Sequence, residues 1–284
     1  MRVIQISDTH ISHLGGATSD AMAAYIELIN AYEPDLVVHS GDIVILDPDN
    51  EDDRLAARTL LDKVNAPVRV IAGNHDVGEP GDHPWAGLAV SKERLTAHRS
   101  VFGDDRWLEI GDDWAIVGLN SEVLGSGLPD EEEQFDWLAT QAPRIGNRQA
   151  MVFTHKPLWN PLPVELEHNI SVPQQARERL LGALNGVDVR VFASGHLHQF
   201  AVAAAPAPFS SALTVSAPST AFTHPEMGLL GAGLTQLGIV DYDLSSDRAA
   251  SVRPLYRSLL SVVEATSHDV PELAAAAQGL GVTV

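Results

Sequence analysis

The sequence predicts an α/β fold, on two observations. Short apolar runs rich in β-branched residues alternate with segments of helical periodicity through the first two-thirds of the chain. After Gln199 the texture changes to β-like pieces separated by turn residues. A chain of 284 residues with 45% apolar composition can bury a sizeable core, as one large α/β domain or two small ones.

Taken in order, Val3–Ile6 (VIQI) reads as a strand. A helix follows over about Ser19–Tyr32, with Ser and Asp at its start, apolar positions at Met22, Tyr25, Ile26 and Ile29, and Pro34 closing it. Leu36–His39 (LVVH) is the next strand, Asp52–Val64 a second helix, Val68–Ala72 (VRVIA) a third strand and Trp114–Leu119 (WAIVGL) a fourth. The acidic run Asp130–Glu133, ahead of Phe135, Trp137 and Leu138, reads as a charged first helical turn that complements the helix dipole. Ala150–Phe153 and Val189–Ala193 are two further strands with a helix near Pro173–Asn185 between them. Phe200–Ala204, Leu213–Ser216, Leu237–Tyr242 and Ala250–Leu255 suggest a mostly antiparallel second sheet or sheet edge. From about Val270, with Ala274–Ala277, the chain reads as a frayed helix or a disordered end.

Composition narrows the function. Lys and Arg number 18 against 38 Asp and Glu, a formal charge of −20, which disfavours nucleic-acid polymers and anionic membranes as partners. A small anionic substrate needs local positive charge, which bound metal ions could supply. There is no Cys, so disulfides and thiolate chemistry are excluded and any metal ligand must be an oxygen or an imidazole nitrogen. MRVIQISDTH lacks the long apolar region of a secretory signal, and no window approaches the roughly 18 apolar residues of a membrane span. The expectation is a soluble cytoplasmic protein.

Each of five apolar runs ends in metal-capable residues. VIQIS leads to Asp8 and His10, LVVHS to Gly41 and Asp42, and VRVIA to Gly73, Asn74, His75 and Asp76. AMVFT leads to His155, and VRVFAS to Gly195, His196 and His198. An isolated HxH is more often a solvated strand end than a ligand pair, but five such endings converge on one sheet edge in an open α/β fold. Asp8, His10, Asp42, Asn74, His155, His196 and His198 are hard or borderline ligands suited to Mn, Fe, Zn or Co. Hydrolytic centres of this type hold two ions about 3.5–4 Å apart, which calls for a bridging carboxylate. Gly41, Gly73 and Gly195 are read as permitting the sharp turns that aim the ligands.

The series D-x-H, GD, GNHD, an isolated His after a strand, and GHxH resembles the calcineurin-like metallophosphoesterases over about Arg2–Phe200. Within them it is most similar to the bacterial class III cyclic nucleotide phosphodiesterases and their glycerophosphodiesterase relatives. The resemblance implies a four-layer α/β/β/α sandwich with two mixed sheets and a dimetal site at the strand C-terminal ends. It implies a single domain over 1–257, followed by a partly helical or disordered tail over 258–284, and leaves room for a homodimer. It puts Asp8, His10 and His198 on one divalent or mixed-valence transition metal ion, Asn74, His155 and His196 on the other, and Asp42 between them. His75 matches the position that faces the substrate phosphate and protonates the leaving oxygen. Asp76 then orients the loop or that imidazole, or serves as a cap or turn residue. Alternation along an extended HxH segment would put both imidazoles on one side and turn Leu197 into apolar packing.

The implied reaction is hydrolysis of a phosphoester by a metal-bridging hydroxide, with His75 as general acid. The Ser/Thr phosphatase branch carries GDxxDRG and GNHE, whereas this chain reads GDIVIL and GNHD, which disfavours a phosphoprotein substrate. No Arg occurs in the five ligand loops and Lys156 is the only cation adjacent to a ligand. That pattern favours a singly charged small phosphodiester, such as a 3',5'-cyclic nucleotide. The alternative is a phosphatase or pyrophosphatase acting on a monoester, nucleotide-sugar or lipid headgroup; a non-catalytic scaffold would not need the full ligand set. Trp85 and Trp159 either stack on a substrate ring or pack. His13, His83 and His224 are candidates to approach the site, and His39, His98, His168 and His268 are assigned to structure or surface.

Overall fold

The structure, a computed structural model, describes residues 1–81, 87–160, 170–224, 233–244, 251–256 and 269–282. Two mixed sheets carry the fold. The first has the order β11 (Ser251–Tyr256), β10 (Gly238–Asp243), β1 (Arg2–Ile6), β2 (Leu36–His39), β3 (Val68–Val70). Its β1, β2 and β3 run parallel, while β10 and β11 add antiparallel. The second has the order β4 (Trp107–Ile110), β5 (Trp114–Gly118), β6 (Gln149–Phe153), β7 (Asp188–Ser194), β9 (Leu213–Ser216), β8 (Ala201–Ala204). There β5, β6, β7 and β9 are parallel and the edges β4 and β8 antiparallel.

Strand alternation sorts side chains into layers. Val3 and Val38 of the first sheet meet Ile116, Phe153 and Val191 of the second in a core between the sheets. On the outer face of the first sheet, Ile4, Ile6 and Val37 pack on Met22, Tyr25 and Ile29 of α1 (Ala17–Tyr32) and Leu61 of α2 (Glu51–Leu61). On the outer face of the second, Val117, Val152 and Val189 pack on Leu138 of α5 (Pro129–Ile145) and Leu180 of α6 (Gln174–Ala183). The result is a four-layer α/β/β/α sandwich. A register shift between β6 and β7 lets Val189 and Val191 face opposite sides.

The later strands take the sheet-edge alternative. β10 and β11 extend the first sheet antiparallel and β8 pairs antiparallel with β9 at the edge of the second, while β9 itself runs parallel to β7. Helix α4 (Lys92–Phe102) and strand β4 have no counterpart in the sequence reading. Between α2 and α4 lies the one-turn α3 (Asn74–Val77), which carries the GNHD residues. A last helix, α7 (Pro271–Leu280), packs Leu273 and Ala277 against Ile45, Leu46 and Phe222. Among the described residues, no helix is long and apolar enough to cross a membrane.

Candidate metal centre

The C-terminal ends of β1, β2, β3, β6 and β7 deliver the candidate ligands to one edge, and backbone hydrogen bonds continue the pairing beyond the strands. Asp8 N donates to Gly41 O at 3.0 Å, His10 N to Asp42 O at 3.1 Å, and Gly195 N to His155 O at 2.9 Å. Side chains lock the loops further. Asp8 accepts from His196 N at 3.1 Å, and Asp42 accepts from His75 N at 2.9 Å. Gly41, at φ 99°, has no room for a side chain, since a Cβ would fall 2.6 Å from His155 Nδ1. Gly195 is not a left-handed turn; it is needed for close approach, because a Cβ there would lie 1.9 Å from Ser7 Oγ.

Asp8, His10, Asp42, His196 and His198 all hold positive φ, between 46° and 71°. Non-glycine residues in that region cost roughly 1–3 kcal/mol each. This corrects the extended reading of the HxH: His196 (φ 71°) and His198 (φ 53°) are each left-handed, with Leu197 buried between them. The two imidazoles enter different clusters. Asp8, His10 and His198 form one group, and Asp42, His155 and His196 another, with ligand atoms within 4.8 Å in each. Asn74 joins the second through Oδ1, 3.1 Å from His155 Nε2.

The tautomers follow from the carbonyls behind the rings. His10 donates Nδ1–H to Ile45 O at 3.1 Å, His155 to Ser40 O at 2.8 Å and His198 to Phe222 O at 2.7 Å. In the neutral rings Nε2 is therefore a lone pair, as metal-binding imidazoles require. Yet His10 Nε2 and His198 Nε2 lie 3.1 Å apart, and His155 Nε2 lies 3.2 Å from Asp42 Oδ2. Electron-rich atoms facing each other at such distances need positive charge between them. Burial alone would lower His155, but Asp42, by charge and hydrogen bond, and then Asp8 hold it up at about 10. Burial and neighbouring imidazoles push His10 and His196 well below the usual histidine range, so protons do not satisfy them. Burial would raise Asp42, but His155 and His75 hold it well below the carboxylate range. An ionised Asp42 and the unprotonated imidazoles of His10 and His196, with a His155 proton that a cation can displace and no sulfur ligand, fit two borderline cations.

His75 donates Nδ1–H to Ile45 O at 3.0 Å, and its Nε2 lies 3.8 Å from Asp42 Oδ2. Asp76 resolves as a loop clamp: its buried carboxylate accepts from Ile43 N, Val44 N and Gly73 N at 2.9, 3.1 and 2.8 Å. Burial and Asp42 push it up to about 7, against the Gly73 and Val44 donors and His155. Lys156 is adjacent to a ligand in sequence but is buried, 3.4 Å from Glu79 and 3.2 Å from Glu122. Burial pushes Glu122 upward despite that lysine.

Of the remaining histidines, His224 packs on His198 with ring centroids 4.6 Å apart. His13 pairs with Asp53 at 2.6 Å. His39 is buried under the ligand loops, bonded to Thr9 Oγ1 at 2.9 Å and accepting from Gly41 N at 3.2 Å. Trp159 packs edge-on against Phe192 at 5.3 Å. His83, Trp85, His168 and His268 lie outside the described residues. Sequence reasoning missed the carbonyls of Ile45, Ser40 and Phe222, because a backbone acceptor carries no side-chain signature. It also missed the Glu79–Lys156–Glu122 triad, where a single Lys after the candidate ligand His155 was the only signal.

Comparison with known proteins agrees with this geometry. The uncharacterized metallophosphoesterase YkuE of Bacillus subtilis is 38% identical over 138 residues, 46% of this chain and 44% of YkuE, so less than half of that relative is spanned. The 3',5'-cyclic adenosine monophosphate phosphodiesterase CpdA of Pseudomonas aeruginosa is 25% identical over 214 residues, 69% of each chain. A dimetal phosphatase from Danio rerio shares the fold at a TM-score of 0.57 and 15% identity, covering 89% of this chain and 95% of its own. The family model for calcineurin-like phosphoesterases matches residues 1–200, and the chain belongs to that family, whose members bind a dimetal centre.

Proposed function

We propose that the chain is a phosphodiesterase acting on small, singly charged phosphodiesters, 3',5'-cyclic nucleotides included. The observation that carries this reading is the burial of Lys156 between Glu79 and Glu122, which removes the one cation next to a ligand. A monoester brings nearly two negative charges and calls for such a cation; a diester brings one. The similarity to CpdA, itself named as a cyclic adenosine monophosphate phosphodiesterase, supports the same class. The similarity in fold to a dimetal phosphatase keeps a monoester or pyrophosphate substrate as the second reading.

In this reading Asp8, His10 and His198 hold one ion and Asn74, His155 and His196 the other, with Asp42 serving both. Mn, Fe, Zn and Co all suit that donor set. When bound, such a pair supplies Lewis acidity toward the phosphoryl oxygens and toward water. The protein's own groups do the rest. His75 keeps Nδ1–H on Ile45 O and presents Nε2 to the site, where a proton can pass to the departing alkoxide. The donating form is the imidazolium, and Asp42 Oδ2 lies 3.8 Å from its Nε2. The test is kcat/KM for a cyclic nucleotide and for the matching nucleoside monophosphate, each with Mn²⁺ added. Preference for the diester is expected, and a clear preference for the monoester would promote the phosphatase reading.

A further inference from the structure

We propose that Phe222, backed by helix α7, is a positioning residue for the Asp8, His10 and His198 ligand group alone. Phe222 is 1% exposed, and its ring lies 4.7 Å from that of His10 and 4.9 Å from that of His198. Its carbonyl accepts the His198 Nδ1 proton at 2.7 Å. The third ligand is tied to the same turn: Ser219 Oγ donates to Asp8 O at 2.7 Å and accepts from Ala221 N at 2.9 Å and Phe222 N at 3.3 Å. One short segment therefore touches all three members of this group. Among the described residues, the ring contacts of Phe222 are with His10, His198 and His224, whereas His155 and His196 pack on each other at 5.1 Å.

Phe222 is in turn held from outside. It shares a buried cluster with Ile45, Leu46, Val270, Leu273 and Ala277, so α7 forms the back wall of the group. Ile45 supplies the carbonyl behind His10. In the first turn of α7, Glu272 lies against Gly16 at the N-terminus of α1, its Oε1 1.2 Å from where a Cβ there would stand. Both Phe222 and α7 fall after residue 200, where the family match ends. The segment that follows the family-matched region thus completes one of its two ligand groups.

The inference rests on the dimetal assignment and is independent of substrate. The test titrates Mn²⁺ alone by calorimetry into metal-free full-length protein in two single-site backgrounds. His155→Ala leaves the Asp8 group intact, and His10→Ala leaves the Asp42 group. Adding Phe222→Ala to the first should weaken Mn²⁺ binding roughly 10–100-fold, the usual effect of removing an outer support of a metal ligand. Adding it to the second should change affinity by less than about threefold. Leu273→Ala, which touches no ligand, should give the same selective loss in smaller size, and it carries the test if Phe222→Ala does not fold. Equal losses in both backgrounds, or none in either, would overturn the proposal. Absence of Mn²⁺ binding in the parent backgrounds would overturn the ligand assignment itself.

Discussion

His10 and His75 donate to one acceptor, the Ile45 carbonyl, at 3.1 and 3.0 Å, and their rings meet edge-on with centroids 4.8 Å apart. A carbonyl oxygen has two lone pairs, so both bonds can be full ones. Ile45 is itself fixed, buried at 1% exposure and donating its N–H to Ile11 O at 3.0 Å. A candidate metal ligand and the candidate general acid therefore take their orientation from the same atom.

That sharing separates acid chemistry from metal binding. His75→Ala leaves the Ile45 bond to His10 in place, so both ions should stay while turnover falls roughly 10²–10⁴-fold, the usual contribution of a general acid. The loss should shrink with a nitrophenyl leaving group, which departs without a proton. Metal analysis of the variant is the check: a missing ion would make His75 a ligand.

Asp42 lies between the two candidate ligand groups. It faces His155 Nε2 at 3.2 Å and His75 Nε2 at 3.8 Å, and it lies in the field of His10 from the other group. Asp42→Ala should leave a folded protein with at most one ion and almost no activity. Elemental analysis finding two ions per chain in well-folded Asp42→Ala would remove its bridging role.

The residues that converge here were legible because each directly follows an apolar strand, and strand ends share an edge in any parallel α/β sheet. The way they are aimed was not. Left-handed backbone at Asp8, Asp42 and His198 leaves no mark in residue type, since the strain is held by tertiary contacts such as Asp76 on Ile43 and Val44. Helix α4 escaped notice because only Leu95 and His98 are buried along it, too few for a periodic stripe. The sheet membership of β8 to β11 depends on distant pairing, as of Arg2 with Asp243 at the other end of the chain, which local pattern does not encode.

Lys156 tests stability against substrate contact. Replacing it by Met leaves Glu79 and Glu122 buried without their cation, a change that typically costs about 3–5 kcal/mol. Lys156→Met should therefore unfold at markedly lower urea, and adding Glu122→Gln should recover part of the loss. If instead KM rises while the urea midpoint holds, Lys156 reaches the substrate and the argument for a diester weakens.

The last prediction concerns acid stability. His98 is buried on α4 with both ring nitrogens lacking a hydrogen-bond partner among the described residues, and it packs on Phe102 at 5.0 Å. Burial pushes it down to about 4, against the pull of Asp105. In the unfolded chain the same imidazole titrates near 6.5. As pH falls below that value the unfolded state takes up the proton first, so the contribution of His98 is complete above about 6.5 and is lost progressively toward 4. The full loss amounts to about 3 kcal/mol. His39, pushed down to about 3 by burial, adds a loss of the same sign over a wider range. His98→Leu removes a buried polar group without partners, so stability at pH 7.5 should be equal or higher. Between pH 6.5 and 4.5 its unfolding free energy in urea should fall less steeply than that of the parent, by about one proton in slope. Parallel pH profiles for the two proteins would show that His98 is not a source of the acid sensitivity.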